Sequence, residues 1–241
     1  MHRPFLQPML VWVFGGLALA LAVCLCFLLT PFVGGRRAFW LVAPYYIRGT
    51  AWAFGIRREL AGWEELPAEV RKGARSVIFV GNHTSLFDPP LMISTLPSHP
   101  VFIAKRELAR VPFLGWVIWL AEFIFIDRDR HGAARQSLQE AADRIRAGQS
   151  IVTFPEGTRS RDGGLLPFKK GAFHLAFEAG VPVVPLAIHG GLEVLPRGTW
   201  RVKGSPYRIQ VGKPLEPRDF ADPEALRQAA ESAVRELLGN G

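Results

Sequence analysis

Cysteine is almost absent from this chain. Two occur in 241 residues, Cys24 and Cys26, both inside one apolar run. Their separation is too short for an ordinary mutual disulfide, and no neighbouring residues complete a zinc set. A disulfide scaffold and a zinc module are therefore excluded. Acid is missing in a more local way. The whole chain carries 29 Lys and Arg against 21 Asp and Glu, a formal charge of +8. Residues 1–58 contain Arg3, Arg36, Arg37, Arg48, Arg57 and Arg58 but no acid, and Glu59 is the first. The remaining 23 basic and 21 acidic residues nearly balance, so no basic nucleic-acid-binding domain is indicated and no nucleic-acid partner is expected. Neither Gly nor Pro is periodic, and 49% of residues are apolar, which excludes collagen-like and disordered classes.

The acid-free arm is itself informative. Met9 to Val33 holds no charge. As helix it would extend roughly 37 Å at about 1.5 Å per residue, enough to span a bilayer core with some tilt. It is longer than the apolar region of an ordinary signal peptide. Ala38 to Ile56 follows, with Trp40, Tyr45, Tyr46, Trp52 and Arg48, and with Pro44 in its middle. Amphipathic aromatics and arginines favour the headgroup level, so this stretch reads as an interfacial or re-entrant helix broken at Pro44. An ordinary buried helix is the alternative. Arg36, Arg37, Arg57 and Arg58 are placed to meet anionic headgroups. Arg36 and Arg37 after the run, against Arg3 before it, put the following domain on the cytoplasmic face.

Past residue 60 the texture changes to short β-branched runs alternating with helical patterns. Strands are expected at Ser76–Val80, Val101–Ala104, Phe123–Ile126, Ile151–Phe154, Val181–Ile188 and Tyr207–Val211. Helices are expected at Pro112–Glu122, Ala133–Arg146 and Gly171–Glu178, with a last one opened by Asp222-Pro223 and closed by Gly239. Prolines in Val181–Ile188 call for an edge or an irregular segment. This alternation predicts an α/β fold, a largely parallel sheet flanked by helices, with the arm at residues 1–60 and the globular domain at 61–241.

Two loops directly after strands carry chemistry. The first is Gly81-Asn82-His83-Thr84-Ser85-Leu86-Phe87-Asp88-Pro89-Pro90. His83 and Asp88, five apart, would not share a helix face, but a turn can return the carboxylate to the imidazole as orienter of a base. The spacing equally allows Asp88 as a helix N-cap and His83 as a core residue. Asn82-His83-Thr84 also fits a glycosylation acceptor, a use that its place directly after a buried strand argues against. The second loop is Phe154-Pro155-Glu156-Gly157-Thr158-Arg159-Ser160. Glycine permits close approach of an anion, threonine adds a hydroxyl and arginine a planar fork for phosphate. A polar loop closed by a surface ion pair is the plain alternative. Lys105, Arg106 and Glu107 follow one strand, Asp127 and Arg128 another, and Lys169 and Lys170 lie further on. No His or acidic cluster has metal-ligand spacing, so no metal is expected.

His83 to Asp88 resembles the H-x4-D motif of the glycerolipid acyltransferases, and Phe154 to Ser160 resembles their third motif. Ala104–Leu108 with Pro112, Gly115 and Phe125–Arg128 is similar to their second region, and Val181–Ile188 to the fourth. The blocks stand in family order, and the lysophosphatidic acid acyltransferases are the nearest subgroup. The resemblance implies acyl transfer from acyl-CoA or acyl carrier protein to the hydroxyl of 1-acyl-sn-glycerol-3-phosphate, giving phosphatidic acid at a membrane. His83 would be the general base and Asp88 its orienter, with no acyl-enzyme. Ser85 as nucleophile is the competing scheme. Gly157, Thr158 and Arg159 would hold the acceptor phosphate, with charge added by Lys105 and Arg128. Glu156 would contact the acceptor or brace Arg159. No cofactor is implied beyond the acyl donor, which is a substrate. Glycerol-3-phosphate or a lyso-aminolipid such as lyso-ornithine lipid as acceptor, a membrane phosphohydrolase and a non-enzymatic lipid-binding scaffold are the rival readings. The oligomeric state is not legible.

Overall fold

The computed structural model describes residues 6–126, 131–196, 198–199 and 201–239. Seven strands form one sheet: β1 (Arg57–Ala61), β2 (Ile78–Gly81), β3 (Val101–Lys105), β4 (Ile124–Ile126), β5 (Ile151–Thr153), β6 (Val183–His189) and β7 (Pro206–Val211). Their order is β1-β7-β6-β2-β5-β3-β4. Every pairing is parallel except β6 with β7. The helices are α1 (Leu6–Val33), α2 (Gly35–Ala53), α3 (Ala68–Arg71), α4 (Asp88–Thr95), α5 (Leu114–Leu120), α6 (His131–Arg146), α7 (Gly171–Ala179), α8 (Gly191–Val194) and α9 (Pro223–Gly239). The α/β fold with a largely parallel sheet stands.

The central strands read as continuous apolar runs because both their faces are covered. Ile78, Phe79 and Val80 of β2 are fully buried, as are Val183, Val184 and Leu186 of β6. β1 is an outer strand, paired with β7 alone, and begins with Arg57, Arg58 and Glu59, charges that suit an exposed edge. The division expected at residue 60 falls inside β1, so the sheet takes in its residues from Arg57 onward.

β6 takes the second of the two alternatives its prolines allow, an irregular segment instead of an edge. It is interior, between β2 and β7. Pro185 is tolerated because of irregularity on its β7 side. Its carbonyl accepts from Gly212 N–H (2.8 Å), while Val183 exchanges two bonds with Leu215 (2.8 and 3.0 Å). The ring thus faces the turn at residues 212–215, beyond the end of β7, where no ladder bond needs its missing N–H.

α1 contains Val13–Val33, a helix long and apolar enough to cross a membrane, with 11% of its most apolar window buried. Phe14, Leu21, Leu28 and Phe32 are among its exposed side chains. After Gly34, α2 folds back along it. The Tyr46 hydroxyl donates to the Gly15 carbonyl at 3.1 Å, and the Cys26 thiol lies 3.8 Å from the Ala38 carbonyl. Contrary to expectation α2 runs unbroken through Pro44, and Phe39, Trp40, Ala43 and Ala51 join the core of the α/β body. Exposed Leu41, Tyr45 and Trp52 leave its other face apolar and aromatic. Two of the arginines expected at headgroups are engaged by the protein itself. Arg36 donates to the His99 carbonyl (2.8 Å) and Arg58 to the Ser94 carbonyl at the end of α4 (2.8 Å). Arg37 and Arg57 are exposed.

Candidate active site

The two chemical loops leave the carboxyl ends of β2 and β5, which are neighbours in the sheet, where open α/β sheets hold ligands. Beyond β2, the Asn82 side chain is buried and brackets Ile188 of β6. It donates to the Ile188 carbonyl at 2.9 Å and accepts from its N–H at 2.7 Å. This anchors the chain just before His83 and leaves no Asn82 amide for a glycan.

The turn from His83 to Asp88 then closes on a single carboxylate oxygen. Asp88 Oδ2 lies 2.8 Å from His83 Nδ1 and accepts the N–H groups of Thr84 and Ser85, each at 2.8 Å. Asp88 is fully buried and opens α4, and its carboxylate is turned back onto the loop instead of capping the helix. Pro89 and Pro90 follow in the first turn, where a missing N–H costs little. An ionised carboxylate only accepts, so Nδ1 carries the proton and Nε2 presents its lone pair. Phe154 stacks on the imidazole with ring centroids 4.2 Å apart and planes 15° apart, fixing the ring. The His83 side chain keeps 19% of its surface exposed, so the ring remains accessible.

The other oxygen of Asp88 has no hydrogen-bond partner among the described residues, nor has the buried hydroxyl of Thr84. Both are pressed against Gly191. A Cβ there would lie 2.4 Å from Thr84 Oγ1 and 2.6 Å from Asp88 Oδ1. Only glycine permits this approach.

Glu156 is placed differently from either expected role. It is 3% exposed, and its two oxygens accept backbone N–H groups, from His83 at 2.6 Å and from Leu166 at 3.1 Å. It thus braces the backbone of His83, not Arg159. Burial pushes its carboxyl up to about 7 against the opposing pull of those two bonds. Ser160 N–H donates to the His83 carbonyl at 2.8 Å, so the second loop holds both backbone polar groups of His83. The Ser85 hydroxyl is fully buried and bonded to the Leu195 carbonyl (3.3 Å), which does not suit a nucleophile.

Thr158 and Arg159 line a cleft of about 400 Å³ with Arg161, Asp162 and Leu166. Gly157 turns at a φ of 73°, and the Lys169 ammonium lies over it, 2.6 Å from where a Cβ would stand. Lys169, noted in the sequence only as one of several basic groups, is thereby brought to the phosphate-type loop, whereas Lys170 pairs with Glu224 (3.5 Å). Lys105 is not brought to that cleft. It is half exposed and pairs with Glu107 at 3.1 Å. Arg128 and Asp127 lie outside the described residues. Asn82, Phe154 and Gly191 carry positions that the sequence left unassigned, because each acts through a neighbour distant in sequence. Among the described residues no group of three or more His, Cys, Asp or Glu is gathered as a metal set.

The assembled groups are an imidazole oriented by a buried carboxylate and, on the loop that holds its backbone, a cleft lined by guanidinium groups. Comparison with known proteins gives the same direction. The Acyltransferase family model matches residues 57–189, more than half of the chain. The 1-acyl-sn-glycerol-3-phosphate acyltransferase of Limnanthes douglasii is 37% identical over 170 residues, 70% of this chain. The chain spans 58% of that relative's length. The 1-acyl-sn-glycerol-3-phosphate acyltransferase alpha of Mus musculus is 39% identical over 197 residues, 78% of this chain and 67% of its own. The crystal structure of the 1-acyl-sn-glycerophosphate (LPA) acyltransferase PlsC from Thermotoga maritima is similar with a TM-score of 0.82 at 26% identity, over 97% of this chain and 95% of that one.

Proposed function

The chain belongs to the Acyltransferase family, and on that premise we propose that it acylates the free hydroxyl of 1-acyl-sn-glycerol-3-phosphate to give phosphatidic acid. The acyl donor is acyl-CoA or acyl carrier protein, approaching from the cytoplasm. The observation that carries this reading is the 2.8 Å contact of Asp88 with His83 Nδ1, which leaves Nε2 to act on a substrate, on a turn whose backbone is held by the loop that carries Arg159.

His83 Nε2 takes the proton of the acceptor hydroxyl as its oxygen attacks the thioester carbonyl. Asp88 stabilises the resulting imidazolium and holds the tautomer. The carbon–sulfur bond breaks, and the departing thiolate recovers the proton as a thiol, which resets the imidazole. Arg159, with Thr158 and the backbone of Gly157, holds the acceptor phosphate, with Lys169 above the loop supplying a further positive charge. Arg128 is a further candidate for this charge, whereas Lys105, paired with Glu107, is not. Glu156 keeps His83 at the correct height. The N-terminal arm lies in the membrane and the α/β body on its cytoplasmic side, where a lysolipid is reached without drawing its chain through water.

The test is transfer of labelled acyl groups from acyl-CoA to lysophosphatidic acid by wild type, His83→Ala and Arg159→Ala. His83→Ala should lose about 10²–10⁴-fold in kcat, the range of general-base contributions. Arg159→Ala should chiefly raise the KM for the lysolipid. Full activity in His83→Ala removes the base assignment, and unchanged kinetics in Arg159→Ala removes the phosphate site.

A further inference from the structure

α1 is not alone in presenting apolar surface. After β3 the chain makes a short 3-10 turn at Arg106–Arg110 and enters α5 through Val111, Pro112 and Phe113. Gly115 and Ile118 face inward, and a Cβ on Gly115 would strike the Ala109 carbonyl at 2.3 Å, so α5 is pressed onto that turn. The outward groups are Val111 (42% exposed), Phe113 (43%), Leu114, Trp116 (51%) and Trp119 (67%). Trp116 and Trp119 are three apart and share a helix face. No charged residue occurs from Val111 to Ala121. Phe113 stands at a φ of 62°, a conformation a bulky side chain rarely adopts, and it opens the helix with its ring outward. A contiguous patch of this kind on a folded protein marks a contact surface.

The patch is continuous with the arm. The Trp116 ring meets Phe27 of α1 edge-on with centroids 6.4 Å apart, and Leu120 packs with Cys26 of α1 and Val42 of α2. It is flanked by exposed Lys105, Arg106 and Arg110, with Glu107 and Glu122 as the local acids, of which Glu122 is paired with Arg144 (3.0 Å). Aromatic side chains beside basic ones are the composition of a membrane–water boundary.

We propose that the α5 patch is a second membrane contact, seated in the headgroup and upper acyl region of an anionic leaflet at a depth of about 5–10 Å. The leaflet is then met by two separate parts of the chain, one before the sheet and one inserted between β3 and β4. This rests on the membrane reading of α1 but not on the acyl-transfer reading.

The test uses the full chain with Cys24→Ala and Cys26→Ala, carrying one environment-sensitive label at Trp119→Cys, Leu21→Cys or Arg218→Cys. Each protein is bound to vesicles of phosphatidylcholine and phosphatidylglycerol and exposed to nitroxide-labelled lipid or to aqueous iodide. Thermal melts of the labelled proteins should match the parent. The Trp119 label is expected to show several-fold stronger lipid quenching than the Arg218 label, with protection from iodide, as for Leu21. Iodide quenching at Trp119 equal to that at Arg218, with Leu21 still quenched by lipid, overturns the second contact and leaves the arm in place. Protection at Trp119 without lipid quenching indicates a protein partner and also overturns it. If neither Leu21 nor Trp119 meets lipid, both membrane readings fall.

Discussion

α1 and β2 are both apolar and uncharged, yet they meet opposite fates. Ile78, Phe79 and Val80 of β2 are fully buried, while Leu21, Leu28 and Phe32 of α1 are among the most exposed side chains. Hydrophobicity alone does not locate a residue; the covering available to it does. β2 is short and flanked by β5 and β6, so its own fold hides it. α1, with 28 residues, is longer than α2, with 19, and α2 hides only one side of it. The two regions also differ in tolerance. α1 acts through summed surface, whereas the loop after β2 acts through single atoms at 2.6–2.8 Å.

Gly191→Ala should show the contrast at its strongest. The added methyl cannot coexist with Asp88 Oδ1 and Thr84 Oγ1, so the carboxylate must move. A displacement near 1 Å at a reacting group costs about 10²-fold, and the loss should appear in kcat with vesicle binding unchanged. Steady-state kinetics on lysolipid vesicles measures it, and an unaltered kcat would mean that the carboxylate tolerates the shift.

Glu156→Gln should give an intermediate effect that depends on pH. Burial raises the native carboxyl from 4.5 to about 7, so the folded chain holds this proton more tightly than the unfolded chain. Its contribution to stability is complete below the unfolded value and declines as pH rises through the native one. The Tm advantage of wild type over Glu156→Gln should therefore shrink between about pH 4.5 and pH 7 and then level off. Thermal melts across that range check this, and a constant difference would remove the assigned burial effect.

The smallest effect is expected in the arm. Leu21→Ala removes one exposed side chain from a long apolar helix. Vesicle co-sedimentation and kcat should stay within about twofold of wild type, as for surface changes that break no specific contact. A large loss there would show that α1 uses specific contacts after all and would erase the distinction from β2.

Much of the fold is legible in the chain because the strands of a covered parallel sheet are unbroken apolar runs. β1 escapes that signal, since Arg57 and Arg58 read as headgroup contacts and only the pairing with β7 makes the segment a strand. Pro185 of β6 leaves an edge and an irregular segment equally open, because its acceptability depends on a turn near residue 213. In the site, five-residue spacing allows His83 and Asp88 to meet but does not require it; the N–H groups of Thr84 and Ser85 turn the carboxylate inward. The partners of Glu156 are backbone groups at His83 and Leu166, and backbone groups leave no trace in residue identity. Lys169 and Gly191 reach the loops by folding, from positions outside either motif.

The seam between α2 and the body has a further consequence. Arg48 of α2 and Arg58 of β1 both donate to the Ser94 carbonyl at the far end of α4, the helix whose first residue is Asp88. These bonds tie α4, and with it Asp88, to α2 of the arm. With the arm in a leaflet as proposed, the distance of His83 from the bilayer midplane is fixed by the protein. On the proposed function the protein would then work as a depth gauge, choosing a hydroxyl partly by its identity and partly by how far it stands above the acyl chains.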